Sequence, residues 1–182
     1  MTGGENKKMV KSMLITTLIL FSATIIESSI LSNINFLLVV PDLVLICCIY
    51  VSLLNGKVYG EISGFISGIF LDFITGVPLG LNCVYRTIIG YIAGFFSNTI
   101  IITGIVIPMT SVGIATLSKK LLLFLISLFF PKLNLNNYSI ISYYFLFEFC
   151  ANIILAPIVF KFLSFFRRQL SIHDTKDMID NN

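Results

Sequence analysis

Long apolar runs separated by short polar breaks dominate the chain. An α-helix needs about 20 predominantly apolar residues to cross the hydrocarbon core of a bilayer, and most of these runs approach that length. The polar breaks include Asn55–Gly56–Lys57 and the turn Gly76–Val77–Pro78, since Gly and Pro punctuate helices. The pattern therefore predicts an all-α integral membrane protein of about six transmembrane helices, at residues 12–31, 36–54, 58–75, 79–96, 109–130 and 138–160.

Polar segments border this single polytopic membrane domain, which is predicted over residues 12–165. Residues 1–11 and 166–182 are predicted tails, and the stretch from Arg167 onward is expected to be frayed. The first run follows a basic segment, as in a signal peptide, but it is long for one and no A-x-A cleavage pattern follows it. A retained first helix is therefore favoured.

The fifth apolar region has two possible arrangements. Residues 99–130 would extend about 48 Å as one helix, which is longer than the hydrocarbon core, and Pro108 is expected to break or kink it. One arrangement has an interfacial piece before Pro108 and a span at 109–130, with Lys119 and Lys120 facing protein or water. The other has a span at 99–118 and a short re-entrant segment after it. The first is favoured, but the sequence leaves both open.

The composition supports a membrane protein. Of 182 residues, 57% are hydrophobic and 12% charged. Soluble domains carry about 45–50% apolar and about 25% charged residues, so this chain cannot cover a water-facing surface with charge. Disorder is excluded too, because it requires low hydrophobicity and high charge.

The net charge of +3 is concentrated at the two ends of the chain. Basic clusters beside apolar spans act as topology determinants and contact lipid headgroups, so membrane lipids rather than nucleic acid are the expected partners. With six spans, most basic residues fall on one side of the membrane. The positive-inside rule then predicts that both termini are cytoplasmic. The basic residues at the ends are Lys7, Lys8, Lys11, Lys161, Arg167, Arg168 and Lys176.

Signs of catalysis, metal binding or a cofactor are missing from the sequence. The four cysteines lie in apolar runs and form no C-x-x-C pair, and the only histidine, His173, lies in the polar tail. No nucleophile elbow, zinc-protease motif or phosphate-binding glycine loop occurs. The sequence thus predicts a non-enzymatic protein without a metal or a cofactor.

Glycines recur every fourth residue in the third run, at Gly56, Gly60, Gly64 and Gly68. Small residues at this spacing let helix backbones approach closely in lipid. Gly90 and Gly94 repeat the device in the fourth run. These residues predict either tight packing within the chain, which is favoured, or a docking face for another membrane protein.

Ionisable residues inside predicted spans are functional candidates, because each costs about 2.5–3.5 kcal/mol at mid-bilayer. Arg86 and Glu148 are expected at similar depth, and an unpaired charge there would be strongly disfavoured. We therefore hypothesise an Arg86–Glu148 pair beneath an outward-facing acidic vestibule, and favour a structural ion pair over a ligand site. The candidates selected on this ground are Glu27, Asp42, Asp72, Arg86 and Glu148.

Residues 41–94 carry an ordered series of motifs. The series begins with Pro41–Asp42 and continues through a glycine-spaced stretch that ends at Asp72. It continues with the turn Gly76-x-Pro78-Leu79-Gly80-Leu81 and the stretch Gly90–Tyr91–Ile92–Ala93–Gly94. In order and spacing, this series resembles the MreD family of bacterial rod shape-determining proteins. Arg86 and the Lys119–Lys120 pair depart from the family pattern.

The resemblance implies a component of the cell-elongation machinery in the bacterial inner membrane. Family members bind the bitopic protein MreC, act with the actin-like MreB, and help the elongation-specific transglycosylase and transpeptidase to direct lateral peptidoglycan synthesis. The residues expected to pack helices or dock partners are Pro41, Asp42, Gly60, Gly64, Gly68, Asp72, Pro78, Gly80, Gly90 and Gly94.

The resemblance also implies a second hypothesis. The family fold is similar to the six-helix substrate-binding subunit of energy-coupling-factor vitamin transporters, which would make the vestibule a small-molecule site. Those subunits usually carry alanines at four-residue spacing in the first helix and longer outer loops. Here the nearest small cluster is Ser22–Ala23–Thr24, and Gly76–Pro78 is a tight turn. The shape-determining function is therefore favoured.

Overall fold

A computed structural model describes residues 3–30, 40–97, 99, 102, 104–130 and 143–172. This part of the chain is helical and contains no strand. A one-turn π-helix, Ile26–Ile30, continues the first helix. The α-helices are α1 (Gly3–Ile25), α2 (Leu43–Asn55), α3 (Lys57–Thr75), α4 (Leu81–Phe95), α5 (Val106–Phe129), α6 (Tyr143–Ser164) and α7 (Arg167–Leu170).

Four helical segments of the described chain are long and apolar enough to cross a membrane: Lys7–Ser29, Lys57–Thr75, Val106–Phe129 and Tyr143–Ser164. The spans predicted at 36–54 and 79–96 are represented by α2 and α4, which have 13 and 15 residues. Helices of that size extend about 20 and 22 Å, which is less than the hydrocarbon thickness of about 30 Å. The all-α class is thus confirmed with four candidate spans, while six complete crossings stay a prediction.

Successive helices run in opposite directions. Ser12 of α1 and Asn55, the last residue of α2, both hydrogen bond to the carbonyl oxygen of Leu170 in α7. The start of α1 and the ends of α2 and α6 therefore lie at one end of the bundle, together with Lys57. We call this the basic end. At the other end of α1, Glu27 accepts a hydrogen bond from the amide of Val44, near the start of α2.

The short helix α2 forms the centre of the core. It contacts α1, α3, α4, α5 and α6, and every residue from Val44 to Asn55 is buried. A helix that is apolar on all sides is stable only when it is surrounded, which explains its central position. The surrounding helices present apolar side chains outward: Leu14, Phe73 and Ile154 are 61% to 71% exposed. Such an outer surface suits lipid.

The regularly spaced glycines of α3 form a seam with α4. A Cβ atom added at Gly60 would overlap the carbonyl oxygen of Gly90, and one at Gly64 would overlap that of Arg86. Gly68 abuts the backbone at Cys83 in the same way. Only glycine permits this backbone approach. Because α4 of the same chain fills this groove, the structure supports the packing role and gives no free face for a partner there.

Helix α5 is continuous from Val106 to Phe129 and includes Lys119 and Lys120. Pro108 is its third residue. Proline is tolerated in a first turn, where the amide that it lacks would have no partner within the helix. The helix therefore begins two residues before Pro108 and has no break after residue 118, while part of the interfacial piece predicted before Pro108 lies outside the described residues.

The expectation of a frayed tail from Arg167 is wrong for residues 167–172. The side chain of Leu170 is fully buried. Its carbonyl oxygen accepts hydrogen bonds from Ser12 Oγ at 2.5 Å and from Asn55 Nδ2 at 3.0 Å. The amide of Ile172 donates to Asn55 Oδ1 at 3.1 Å. The buried Leu170 side chain, together with Ser12 of α1 and Asn55 of α2, thus holds α7 in place, while residues 173–182 lie outside the described part.

Candidate functional site

Ionisable side chains from five helical segments converge on one cavity of about 250 Å³. It is lined by three acidic and three basic residues, whose formal charges cancel. The π-helix, the start of α2, α4, α5 and α6 each supply at least one of them. We call it the charged cavity; its ionisable residues are Glu27, Asp42, Arg86, Lys119, Lys120 and Glu148.

Asp42 lies at the centre of the ion pairs and is 2% exposed. Its Oδ1 accepts hydrogen bonds from Arg86 Nη2 at 2.6 Å and from the Leu45 amide at 2.8 Å, which makes Asp42 the N-cap of α2. Its Oδ2 accepts from Lys119 Nζ at 2.7 Å. A buried carboxylate is stable only with such partners. Pro41 directly precedes this cap and is buried as well.

Lys119 links α2 to α6. Its Nζ lies 2.7 Å from Asp42 Oδ2 and 2.7 Å from Glu148 Oε1. One turn along α6, Asn152 Oδ1 accepts from the Asp42 amide at 2.8 Å, and Asn152 Nδ2 donates to Thr116 Oγ1 at 3.2 Å. The network therefore ties α2, α4, α5 and α6 together.

The structure corrects the predicted direct pair between Arg86 and Glu148. Arg86 pairs with Asp42, and Glu148 pairs with Lys119. The two residues belong to one network and are joined through the ion pairs of Lys119 and Asp42. The predicted acidic vestibule is also corrected, because three cations neutralise the three carboxylates of the cavity.

Asp72 stabilises the turn between α3 and α4 and is not among the residues that line the charged cavity. Its Oδ2 accepts from the amide of Gly80 at 2.8 Å, and its Oδ1 accepts from the amide and side chain of Asn82 at 3.0 and 2.9 Å. Gly80 has φ +98°, a left-handed conformation that favours glycine. The carbonyl of Pro78 accepts from the amide of the residue that starts α4. These predicted residues thus act together in one turn.

Arg86 retains hydrogen-bonding capacity that the described residues do not use. Its side chain is 1% exposed, and within the described part its Nε and Nη1 have no hydrogen-bond partner. Leaving buried donors unpaired is unfavourable. The cavity therefore combines satisfied ion pairs with unused donors.

Lys119, Asn152 and Thr116 were absent from the sequence-based site. A lysine inside an apolar run is costly, and this signal could have identified Lys119. Asn152 and Thr116 carry no comparable signal, since single polar residues are common within helices. The described residues contain no group of three or more His, Cys, Asp or Glu that could hold a metal ion.

The helical fold, its apolar outer surface and the internal ion-pair network define a helical membrane protein with a charged cavity. The family model of the rod shape-determining protein MreD matches residues 7–166 of the 182-residue chain. The chain belongs to the MreD family, which confirms the resemblance found in the sequence. Comparisons with curated proteins and with solved structures gave no match.

Proposed function

We propose that this protein is a non-enzymatic component of the bacterial cell-elongation machinery that docks an MreC-type bitopic protein. Family membership over residues 7–166 supports this function. Together with the elongation-specific transpeptidase and transglycosylase, and indirectly with MreB filaments, the complex would direct lateral peptidoglycan synthesis. The protein would lie in the cytoplasmic membrane with both termini in the cytoplasm, since the described basic residues gather mainly at one end.

The charged cavity is the site at which we propose that the partner docks. The glycine seam between α3 and α4 is occupied within the chain, so it offers no groove to another helix. The charged cavity, in contrast, reaches the surface at the exposed Thr75, and Nε and Nη1 of Arg86 have no hydrogen-bond partner among the described residues. A polar segment of the partner next to its membrane span would supply acceptors for them.

A structural rather than a catalytic role agrees with the pairing inside the cavity. Asp42 is bound by two cations and an amide, and one oxygen of Glu148 is bound by Lys119. These carboxylates are therefore held as ion-pair partners. The transporter-subunit alternative is not favoured, because the family match points to shape determination.

The test is co-purification of the tagged, full-length protein from its native membrane, with quantitative mass spectrometry. Thr75 lines the charged cavity and is exposed, so Thr75→Trp narrows the opening without breaking an ion pair. Phe73→Trp is the matched control, because Phe73 is 71% exposed on the same turn and does not line the cavity.

We expect Phe73→Trp to recover MreC at the wild-type level and Thr75→Trp to recover much less. Equal recovery with both variants would refute docking at the charged cavity. Recovery of paired ATPases without MreC or wall enzymes, from the unaltered protein, would refute the elongation function itself.

A further inference from the structure

A second cavity of about 310 Å³ lies between α2, α5 and α6 near the basic end. Its wall is mostly apolar and includes Pro108 of α5 and Pro157 of α6. Tyr50 and Phe160 form part of the same wall, with their rings edge to face at a centroid distance of 5.2 Å. We call it the basal cavity. It is separate from the charged cavity and shares no lining residue with it.

Two cations, Lys161 and Arg167, line the basal cavity, and no carboxylate is among its described lining residues. Lys161 belongs to the last turn of α6 and is exposed. Arg167 is the first residue of α7. The cavity therefore has a positive lining in addition to its apolar wall, whereas the formal charges of the charged cavity cancel.

The position of Arg167 is fixed by the fold. The short helix α7 is anchored by the buried side chain of Leu170 and by hydrogen bonds from Ser12 and Asn55. These contacts attach α7 to the starting half of α1 and to the end of α2. The second cation is thus held at the cavity by tertiary contacts, which a frayed tail would not provide.

We propose that the basal cavity binds an anionic phospholipid, with the headgroup phosphate between Lys161 and Arg167 and part of an acyl chain along the apolar wall. Basic pockets between membrane helices near the surface bind anionic headgroups, and each cation there contributes favourably. The long stems of lysine and arginine can lie along apolar surface while their charges reach the headgroup. This function is independent of the partner that docks at the charged cavity.

The test measures lipid binding to the purified full-length protein by native mass spectrometry, with phosphatidylglycerol and phosphatidylcholine of identical acyl chains. Lys161→Gln/Arg167→Gln removes both cations of the basal cavity. The control, Lys11→Gln/Arg168→Gln, removes two exposed cations from α1 and α7 that do not line it. Both variants change the net charge equally, so the diffuse attraction of anionic lipid to the protein surface falls equally in the two variants.

Phosphatidylglycerol is expected to bind the unaltered protein more tightly than phosphatidylcholine. The cavity variant should lose about tenfold in affinity for phosphatidylglycerol, and the control variant less than about threefold. Ser164→Phe provides an uncharged block, because Ser164 lines the cavity and is exposed. Ser164→Phe should weaken the binding of phosphatidylglycerol as well. Circular dichroism checks that each variant keeps its helices.

Three results would overturn the proposal. Equal losses in the two charge variants would assign the binding to diffuse surface charge. Unchanged phosphatidylglycerol affinity in Ser164→Phe would place the lipid elsewhere. Displacement of the lipid by glycerol phosphate, which carries the headgroup charge without acyl chains, would make the cavity a site for free anions.

Discussion

Lys119→Met tests whether the ion pairs of the charged cavity act as one network. The lysine side chain is 17% exposed and bonds two carboxylates, at 2.7 Å each. Removing one partner of a buried ion pair costs about 3–5 kcal/mol, because the other charge stays buried and unpaired. Asp42 keeps Arg86 and the Leu45 amide, and Glu148 is also 17% exposed. We therefore expect Lys119→Met to lower the free energy of unfolding by about 3 kcal/mol, near the lower limit of this range.

A second substitution should reverse part of this loss. Lys119→Met leaves the cavity with one excess negative charge, and Glu148→Gln in addition restores neutrality while the Asp42–Arg86 pair remains. The double variant should thus be more stable than Lys119→Met alone. The expected gain is about 0.5–3 kcal/mol, which is the usual interaction energy between two substitutions at contacting residues.

The assay is unfolding in mixed detergent micelles, followed by circular dichroism, for the two single variants and the double variant. Lys11→Met is the control, because this exposed lysine lies outside the cavity; its effect should be within about 0.5 kcal/mol. If the losses of the two single variants simply add in the double variant, Lys119 and Glu148 do not interact and the network interpretation is refuted.

Three further substitutions address the packing. Gly64→Ala should destabilise by about 3 kcal/mol in the same assay, because its Cβ meets the backbone of Arg86, whereas Gly113→Ala, whose nearest contacts are side-chain atoms at 3.5 Å or more, should be tolerated; equal effects would contradict the seam. Asp72→Ala removes three hydrogen bonds, so amide exchange in the α3–α4 turn should become faster; unchanged exchange would contradict its role. Leu170→Ala should lower the free energy of unfolding by about 3 kcal/mol and make α7 accessible to limited proteolysis. A variant that resists the protease would show that the Leu170 side chain does not anchor α7.

The helical class and a close backbone approach along α3 could be predicted from the sequence. Both follow from local regularities: the length of apolar runs and glycines at four-residue spacing. The same spacing cannot reveal which helix fills the groove, because another chain and α4 would satisfy it equally. Tertiary structure places α4 there, with Gly90 opposite Gly60.

For the charged residues, too, the sequence indicates which residues need partners but not which partners they meet. A charge inside an apolar run needs a partner because it is costly there, and on this ground Arg86 and Glu148, but not Lys119, were singled out from the sequence. Depth along a helix, however, does not specify the direction in which a side chain points, so the predicted Arg86–Glu148 pair was wrong.

Three features of this protein follow from the sequence alone: its apolar helices, the glycines that allow close helix contact, and the charges that require neutralisation. The pairing of its polar groups, in contrast, depends on the tertiary structure. Asp42 meets Arg86 and Lys119 across 44 and 77 residues of sequence, and Asn55 meets Leu170 across 115. Such contacts depend on how whole helices rotate and pack around α2, and burial makes them selective because an unpaired polar group there is costly.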